Sequence, residues 1–225
     1  MKVKFGAIVV DGSGKLGGHV FSKNRSGNYM RTKVTPTNPS TIAQTGARAL
    51  FGAISAGWSA LTLPFILGWN EAVVEWQKTN IFGDLKSPSG KALYQRLNNQ
   101  AQSAGWPEVI QVPAKEDFPV AIITNARIAV GAETIALSGL VSDAKVRVME
   151  FATPVLSRGT KFVKNRLRLI ETQLTSTYSE GDSYISYVAK YGAPSVGDNI
   201  YFGLKYVLAN GQASPLQIIQ AEIVA

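Results

Sequence analysis

The spacing of apolar residues changes twice along the chain, and this change limits the fold to three successive regions. In residues 2–34, apolar residues occur in short stretches between glycine-rich turns, which is typical of β-hairpins. In residues 40–105 they recur every three to four positions, which predicts helices. Beyond residue 119 they again form short runs separated by turns. We therefore expect an α+β chain in which strands and helices are segregated.

The first region predicts a small arm of β-hairpins over residues 1–39. Pro36 and Pro39 end the strands, because proline offers no N–H to a β-ladder and disfavours helix in the residue before it. An arm of this size buries little apolar surface by itself. The strand-like stretches are Val3–Val10, His19–Ser22 and Tyr29–Val34, with glycine-rich turns at Asp11–Gly18 and Arg25–Asn28.

The second region, residues 40–107, predicts a small helical bundle. Thr41, Thr62 and Ser89 stand where a side chain can cap a helix, and Thr41 also begins a capping box. The third helix is expected to end at Gly105. Every tryptophan of the chain lies here, which predicts a compact core: Trp58, Trp69, Trp76 and Trp106.

Three prolines, at positions 107, 113 and 119, indicate a linker over residues 108–119. Residues 120–225 then contain seven short strand-like runs, and Asn210-Gly211 is a strong hairpin signal. This pattern is typical of an immunoglobulin or fibronectin type III β-sandwich, and the absence of cysteine favours the fibronectin-like variety. The predicted strands are Val120–Thr124, Ile135–Leu140, Val146–Ala152, Leu167–Leu174, Tyr184–Lys190, Ile200–Leu208 and Leu216–Val224.

Composition excludes several classes of chemistry. At 225 residues with 45% hydrophobic residues, the chain is long enough to bury a substantial core. It has no cysteine, and its one histidine is His19, so disulfides, thiol nucleophiles and most zinc sites are excluded. We expect a soluble protein made without export, with no membrane span, no metal, no cofactor and no catalytic residues.

The positive charge is concentrated at one end. Residues 1–48 hold eight basic residues and one acidic residue, Asp11, whereas the whole chain has a net charge of +8. No carboxylate occurs between Asp11 and Glu71. Such a surface favours an anionic partner. The residues predicted to contact it are Lys15, Lys23, Arg25, Tyr29, Arg31 and Lys33.

Three interpretations of this basic arm remain open. Arginine and tyrosine are enriched at protein interfaces. The same residue types contact phosphates and stack on bases, which suits nucleic acid. A solvated face without a partner is the third possibility. A second basic run borders a predicted strand and indicates protection of a sheet edge or another interface: Arg158, Lys161, Lys164, Arg166 and Arg168.

Three short motifs match catalytic or ligand-binding patterns only in part. Residues 12–17 fit G-x-G-x-x-G, but a strand rather than a helix is predicted to follow, so a dinucleotide site is not expected. Ser142 and Lys145 have the S-x-x-K spacing of acyl enzymes, yet they lie in a predicted turn. Glu71 and Glu75 are one helical turn apart, where a solvated face is the simpler interpretation.

A set of short motifs runs along nearly the whole chain and marks turns and helix ends rather than chemistry. These segments are Gly14–Gly18, Asn24–Tyr29 with Arg31, Val34–Thr41 with Gln44 and Arg48, Trp58–Thr62, Trp69-Asn70, Phe82-Gly83, Ser89–Tyr94 with Leu97-Asn98, Phe151–Pro154 with Leu156-Ser157, and Tyr191–Pro194 with Gly197. In these segments the chain resembles a family of uncharacterised proteins of tailed bacteriophages and prophages.

This resemblance implies a structural component of the virion, in the head, neck or tail, assembled in the host cytoplasm. Its partners would be other virion proteins and copies of itself, with possible contact to packaged DNA. A nucleic-acid-binding protein that uses the basic arm is the alternative. A hydrolase built on Ser142 and Lys145 is a third hypothesis.

Overall fold

The computed structural model describes residues 1–4, 6, 11–35, 37–116, 123–140, 142–160 and 162–225. The chain is mixed α+β and divides into two compact units, Met1–Gln95 and Arg96–Ala225. The division falls within a helix, whereas the sequence predicted an end of the helical domain at residue 107. The helix and sheet content confirms the predicted α+β class.

The first unit begins with a three-stranded antiparallel sheet, in the order β1-β2-β3. Residues 11–18, predicted as a turn, include the short strand β1, and β2 and β3 follow close to the predicted positions. Most of the predicted strand Val3–Val10 lies outside the described residues. The strands are β1 (Gly14–Leu16), β2 (His19–Asn24) and β3 (Gly27–Thr32).

Helices follow at the three predicted caps. The Gln44 N–H donates to Thr41 Oγ1 over 3.3 Å, and the Ala92 N–H donates to Ser89 Oγ over 3.2 Å, as expected for N-caps. Thr62 precedes the second helix without such a bond. The elements are α1 (Ile42–Ala60), α2 (Leu63–Glu71), a 3₁₀ turn (Ala72–Val74), the hairpin β4 (Lys78–Thr79) and β5 (Leu85–Lys86), and α3 (Gly90–Ser103).

Aromatic side chains form the core of the first unit. Trp69 and Tyr94 are completely buried and meet edge to face, with ring centroids 5.3 Å apart. Trp58 contributes from α1 at 5.5 Å from the Tyr94 ring, but it is only half-buried. The predicted aromatic core therefore exists around Trp69.

The second unit contains one curled six-stranded mixed sheet, in the order β7-β6-β11-β10-β8-β9. Among the strands that the structure describes in this sheet, β6 and β11 are the one pair that runs parallel. The helix α4 contacts both β7 and β9, the two edge strands, so the sheet curls around it. The elements are β6 (Asn125–Ala129), β7 (Thr134–Ser138), β8 (Val146–Ala152), β9 (Arg168–Leu174), a 3₁₀ turn (Thr175–Thr177), α4 (Glu180–Tyr191), β10 (Tyr201–Leu208) and β11 (Gln217–Val224).

The predicted strand Tyr184–Lys190 is wrong, because these residues form most of α4. Ser179 caps this helix, two acidic residues occupy its first turn, and Gly192 ends it with a φ of 88°. The tyrosines of α4 recur at helical spacing and pack on the sheet. The first predicted strand, Val120–Thr124, lies mostly outside the described residues, and β6 was not predicted.

The segment predicted as a linker is held against the second unit in its described part. The buried side chain of Asn98 donates to the Val109 carbonyl over 3.0 Å and accepts from the Val109 N–H over 2.7 Å. Further along, the Glu116 N–H donates to Gln212 Oε1, and Gln212 Nε2 donates back to the Glu116 carbonyl. Residues 108–116 are therefore fixed by hydrogen bonds.

Candidate interaction surface

The register of the N-terminal sheet places three of the six predicted contact residues on one face. Lys15 pairs with Val20, which pairs with Arg31, and residues directly opposite each other share a face. Tyr29 lies two residues before Arg31 on β3 and therefore points to the same side. Lys33 is the first residue after the end of β3, and its N–H donates to the Gly18 carbonyl over 2.8 Å.

Lys23 and Arg25 do not join this group. Lys23 is an odd number of residues from Val20 on β2, so its side chain lies on the opposite face. There it pairs with Asp11 over 3.1 Å and lowers the pKa of that exposed carboxyl. Arg25 lies in the turn between β2 and β3, at the tip of the sheet.

Lys2 is a further candidate contact residue, which the sequence interpretation missed. The first residues pair with β3 as an added strand, since the Met30 N–H donates to the Met1 carbonyl over 2.8 Å and the Val3 N–H donates to the Asn28 carbonyl over 3.0 Å. Lys2 thereby lies opposite Tyr29. The signal in the sequence is that positions 2 and 4 are lysines while positions 3 and 5 are apolar.

We call Lys2, Lys15, Tyr29 and Arg31 the basic face. The ion pairs Lys4–Asp84 and Lys23–Asp11 use residues outside this set. Asp84 lines a pocket together with Lys2, but within the described part of the chain none of the three cations of the basic face forms an ion pair. The face therefore keeps a net positive charge. A surface charge arranged in this way raises the local concentration of an anionic partner and speeds its association.

The outward side of α1 has an unusual composition for a surface helix. It presents the exposed residues Ile42, Thr45, Gly46, Ala49, Gly52, Ala53, Ala56 and Ala60. None of these is charged, and Ile42 is 92% exposed. Positions 42, 49 and 56 repeat every seven residues, which is the spacing of a helix–helix seam. We call these eight residues the α1 outer face.

The two units differ in how they use their large apolar side chains. Of the 30 buried hydrophobic residues among those described, six lie in Met1–Gln95 and 24 in Arg96–Ala225. Of the 18 exposed large hydrophobics, 11 lie in the first unit. They include Phe51, Leu63 and Leu67, each about half exposed or more. A soluble domain rarely leaves so much apolar surface without a partner.

The partial motifs have structural roles. Residues 12–17 form β1 and a turn at Gly17, with a φ of 55°, and β2 rather than a helix follows. A helix N-terminus for a pyrophosphate is therefore missing from this described segment. Ser142 and Lys145 lie in the turn before β8, where the Lys145 N–H donates to Asp143 Oδ1 over 2.8 Å.

Among the described residues, no group of three or more histidine, cysteine, aspartate or glutamate side chains could hold a metal ion. No single helix in that part of the chain is long and apolar enough to cross a membrane, although α1 together with α2 and its 3₁₀ turn reaches that length and apolar character as a pair bent by 111°.

The carboxyl with the most unusual environment is Glu150, on β8 in the second unit. It is completely buried, and neither of its oxygens has a hydrogen-bond partner among the described residues. Burial raises its pKa, the neighbouring Glu171 adds to the rise, and the nearby Ser183 and Tyr178 hydroxyls oppose it, so that the resulting pKa is about 7. Those hydroxyls donate to other acceptors, Tyr178 to the Ile135 carbonyl for example. Alternation along β8 shows that this glutamate occupies a core position.

Comparison with protein-family models, curated proteins and solved structures found no match to this chain.

Proposed function

We propose that this protein is a structural component of a tailed-bacteriophage particle that acts through contacts with copies of itself and with other particle proteins. The observation that carries the proposal is that the described residues of the first unit leave more large apolar side chains exposed than buried. The resemblance of its turn and helix-end motifs to phage proteins supports the same role.

The α1 outer face suits a contact between identical subunits. A surface helix of a monomer normally carries charged residues on its solvent side, because they are well hydrated there. This face carries none, so two copies can approach without burying a charge. Its alanines and glycines also allow close packing of helix on helix, and Gly46 and Gly52 have no atom near the position of an added Cβ.

The basic face suits a different neighbour. Two copies of this surface repel each other, since its three cations carry like charge and form no ion pair with a described carboxylate. An acidic surface on another particle protein complements them, and the exposed lysines and arginines would mainly set the association rate and its salt dependence.

The finer assignment of the second unit, an immunoglobulin- or fibronectin-like sandwich, is part of this proposal. It is supported by β11, which pairs with β10 through residues 217–220 and with β6 through residues 221–224. One strand therefore connects the β6–β7 pair to the β10–β8–β9 group. An experimental structure with these two groups packed face to face would establish the sandwich, and an open sheet would exclude it.

Mass spectrometry of purified particles tests the proposed role. We expect the chain at a fixed ratio to the major capsid or tail protein after gradient purification. Particles that are complete and infective but lack the chain would refute it.

A nucleic-acid-binding protein is the second candidate, favoured by Tyr29 lying among the cations of the basic face. Binding would then weaken steeply with salt, in proportion to the phosphates neutralised. Replacing Lys15 and Arg31 by glutamine would reduce that salt dependence. If DNA does not bind at low salt, this candidate is excluded.

A further inference from the structure

A cleft on the second unit combines two arginines with an aromatic ring. It has a volume of about 410 Å³ and is lined by Pro154, Asn165, Arg166, Arg168 and Tyr191. This is within the size range of protein ligand sites. No carboxylate lines it. The cleft lies where the second basic run of the sequence meets β9, at one edge of the sheet.

The loop that carries these arginines is fixed by its own packing. Val163 and Leu167, on either side of Arg166, are buried, and the Arg166 N–H closes a turn by donating to the Val163 carbonyl over 2.9 Å. Leu167 fits because residue 203 on β10 is glycine, where a Cβ would come within 2.9 Å of the leucine side chain. The loop is therefore already fixed before a ligand binds. Binding to the arginines does not need to order it, and this lowers the entropic cost of binding.

Two backbone carbonyls hold the Arg168 guanidinium in one orientation. Its Nη1 donates to the carbonyls of Asn165 and Leu167 over 3.0 and 2.8 Å. These two bonds use both hydrogens of Nη1, which leaves Nε and Nη2 as a pair of parallel donors. Such a pair matches the two oxygens of a carboxylate.

Two carboxylates of the second unit accept hydrogen bonds from residues outside the cleft lining. Asp198 Oδ2 accepts from the Ser195 N–H over 2.8 Å. Glu171, on the same strand as Arg168, accepts from the Ser186 hydroxyl and from the Thr172 N–H. Within the described residues, Arg166 forms neither a side-chain hydrogen bond nor an ion pair.

We propose that this cleft binds carboxylate side chains of an acidic polypeptide segment from another protein. The ring of Tyr191 and the Pro154 side chain give the cleft apolar walls, and arginine beside tyrosine is the composition of protein interfaces. Val155 and Phe162, close in sequence, are 49% and 73% exposed and extend the apolar surface of the same loop. The cleft shares no residue with the basic face, and the proposal does not depend on the function proposed for the first unit.

Fluorescence anisotropy with a labelled octaglutamate peptide tests the proposal on the full chain. Replacing Arg166 and Arg168 together by glutamine should weaken peptide binding about tenfold, because the bidentate pair is lost. The single change Arg166→Gln, which leaves the Arg168 contacts intact, should weaken it about threefold. The matched control is the double change Arg127→Gln and Lys145→Gln, which removes the same charge from exposed positions of the same unit and should change the affinity less than about twofold.

Three results would overturn the proposal. The first is equal weakening in the cleft and control variants, which would indicate only a general charge effect. The second is a loss confined to a Lys15→Gln and Arg31→Gln variant, which would assign the peptide to the basic face and leave the function proposed above intact. The third is stronger competition by inorganic phosphate or an oligothymidylate than by unlabelled peptide, which would assign the cleft to phosphate.

Discussion

The buried carboxyl of Glu150 makes the stability of the second unit depend on pH. Its pKa is about 7 in the folded chain, against 4.5 for an ordinary glutamate. Between pH 4.5 and pH 7 the folded chain therefore keeps a proton on Glu150 that the unfolded chain has released. The contribution of the protonated carboxyl to the free energy of unfolding is fully present below pH 4.5. It is lost as the pH rises towards 7 and does not change further at higher pH.

The size of the effect follows from the two pKa values. A difference from 4.5 to about 7 corresponds to about 3 kcal/mol of unfolding free energy, and the residue is completely buried, so solvent screening does not reduce it. Glu150→Gln replaces the carboxyl by a neutral amide of nearly the same shape. We expect this variant to be more stable than the natural chain by about 3 kcal/mol at pH 8, with a much smaller difference at pH 4.5.

Urea unfolding at pH 4.5 and pH 8, followed by circular dichroism, measures this difference. Glu222→Gln on β11 is the matched control, because its carboxylate is exposed on the same sheet. The control should unfold at the same urea concentration as the natural chain at both pH values. If the difference in unfolding free energy between Glu150→Gln and the natural chain is the same at pH 4.5 and pH 8, the reasoning is refuted.

Three further substitutions test the packing. Trp69→Ala should destabilise the first unit by about 3–5 kcal/mol in urea unfolding, because a completely buried indole is lost. Gly211→Ala should destabilise by about 3 kcal/mol in thermal unfolding, since φ is 80° and a methyl group there would overlap the Leu97 carbonyl. Asn98→Ala should cost about 2–3 kcal/mol and accelerate hydrogen exchange at the Val109 amide, because it removes a completely buried side chain that both donates to and accepts from Val109.

Each of these variants has a matched control. Phe51→Ala removes an aromatic ring that is 50% exposed and should cost less than half as much as Trp69→Ala. Gly159 has a φ of 86° but open space around its Cβ position, so Gly159→Ala isolates backbone strain from overlap. Asn165→Ala is the control for Asn98→Ala, because it removes a side-chain amide that is exposed. Equal losses in a variant and its control would contradict the packing described here.

Local signals in the sequence were sufficient for the helices of the first unit. A hydroxyl residue before an apolar repeat located the starts of α1 and α3, and hydrogen bonds from Gln44 and Ala92 confirm both caps. The same signals were present at Ser179 and Gly192 around α4. The predicted strand Tyr184–Lys190 is wrong because the tyrosines of this segment recur at helical rather than alternating spacing.

The basic face depends on pairing that single stretches of sequence do not specify. A shift of one residue between β1 and β2 would move Lys15 to the other side of the sheet. Lys2 joins the face only because the chain start pairs with β3. Composition predicted a cluster of positive charge, and the register divided it into a face with Lys15 and Arg31 and an opposite side with Lys23.

Light scattering of the purified chain tests the central claim, that the first unit is a contact surface between subunits. We predict a mass above the 24.2 kDa of one chain that grows with concentration. Ala53→Glu places a charge on the α1 outer face and should return the mass to 24.2 kDa. Ala132→Glu makes the same exchange at an exposed turn of the second unit and should leave the oligomer intact. A natural chain of 24.2 kDa at every concentration, unchanged by Ala53→Glu, would contradict the claim.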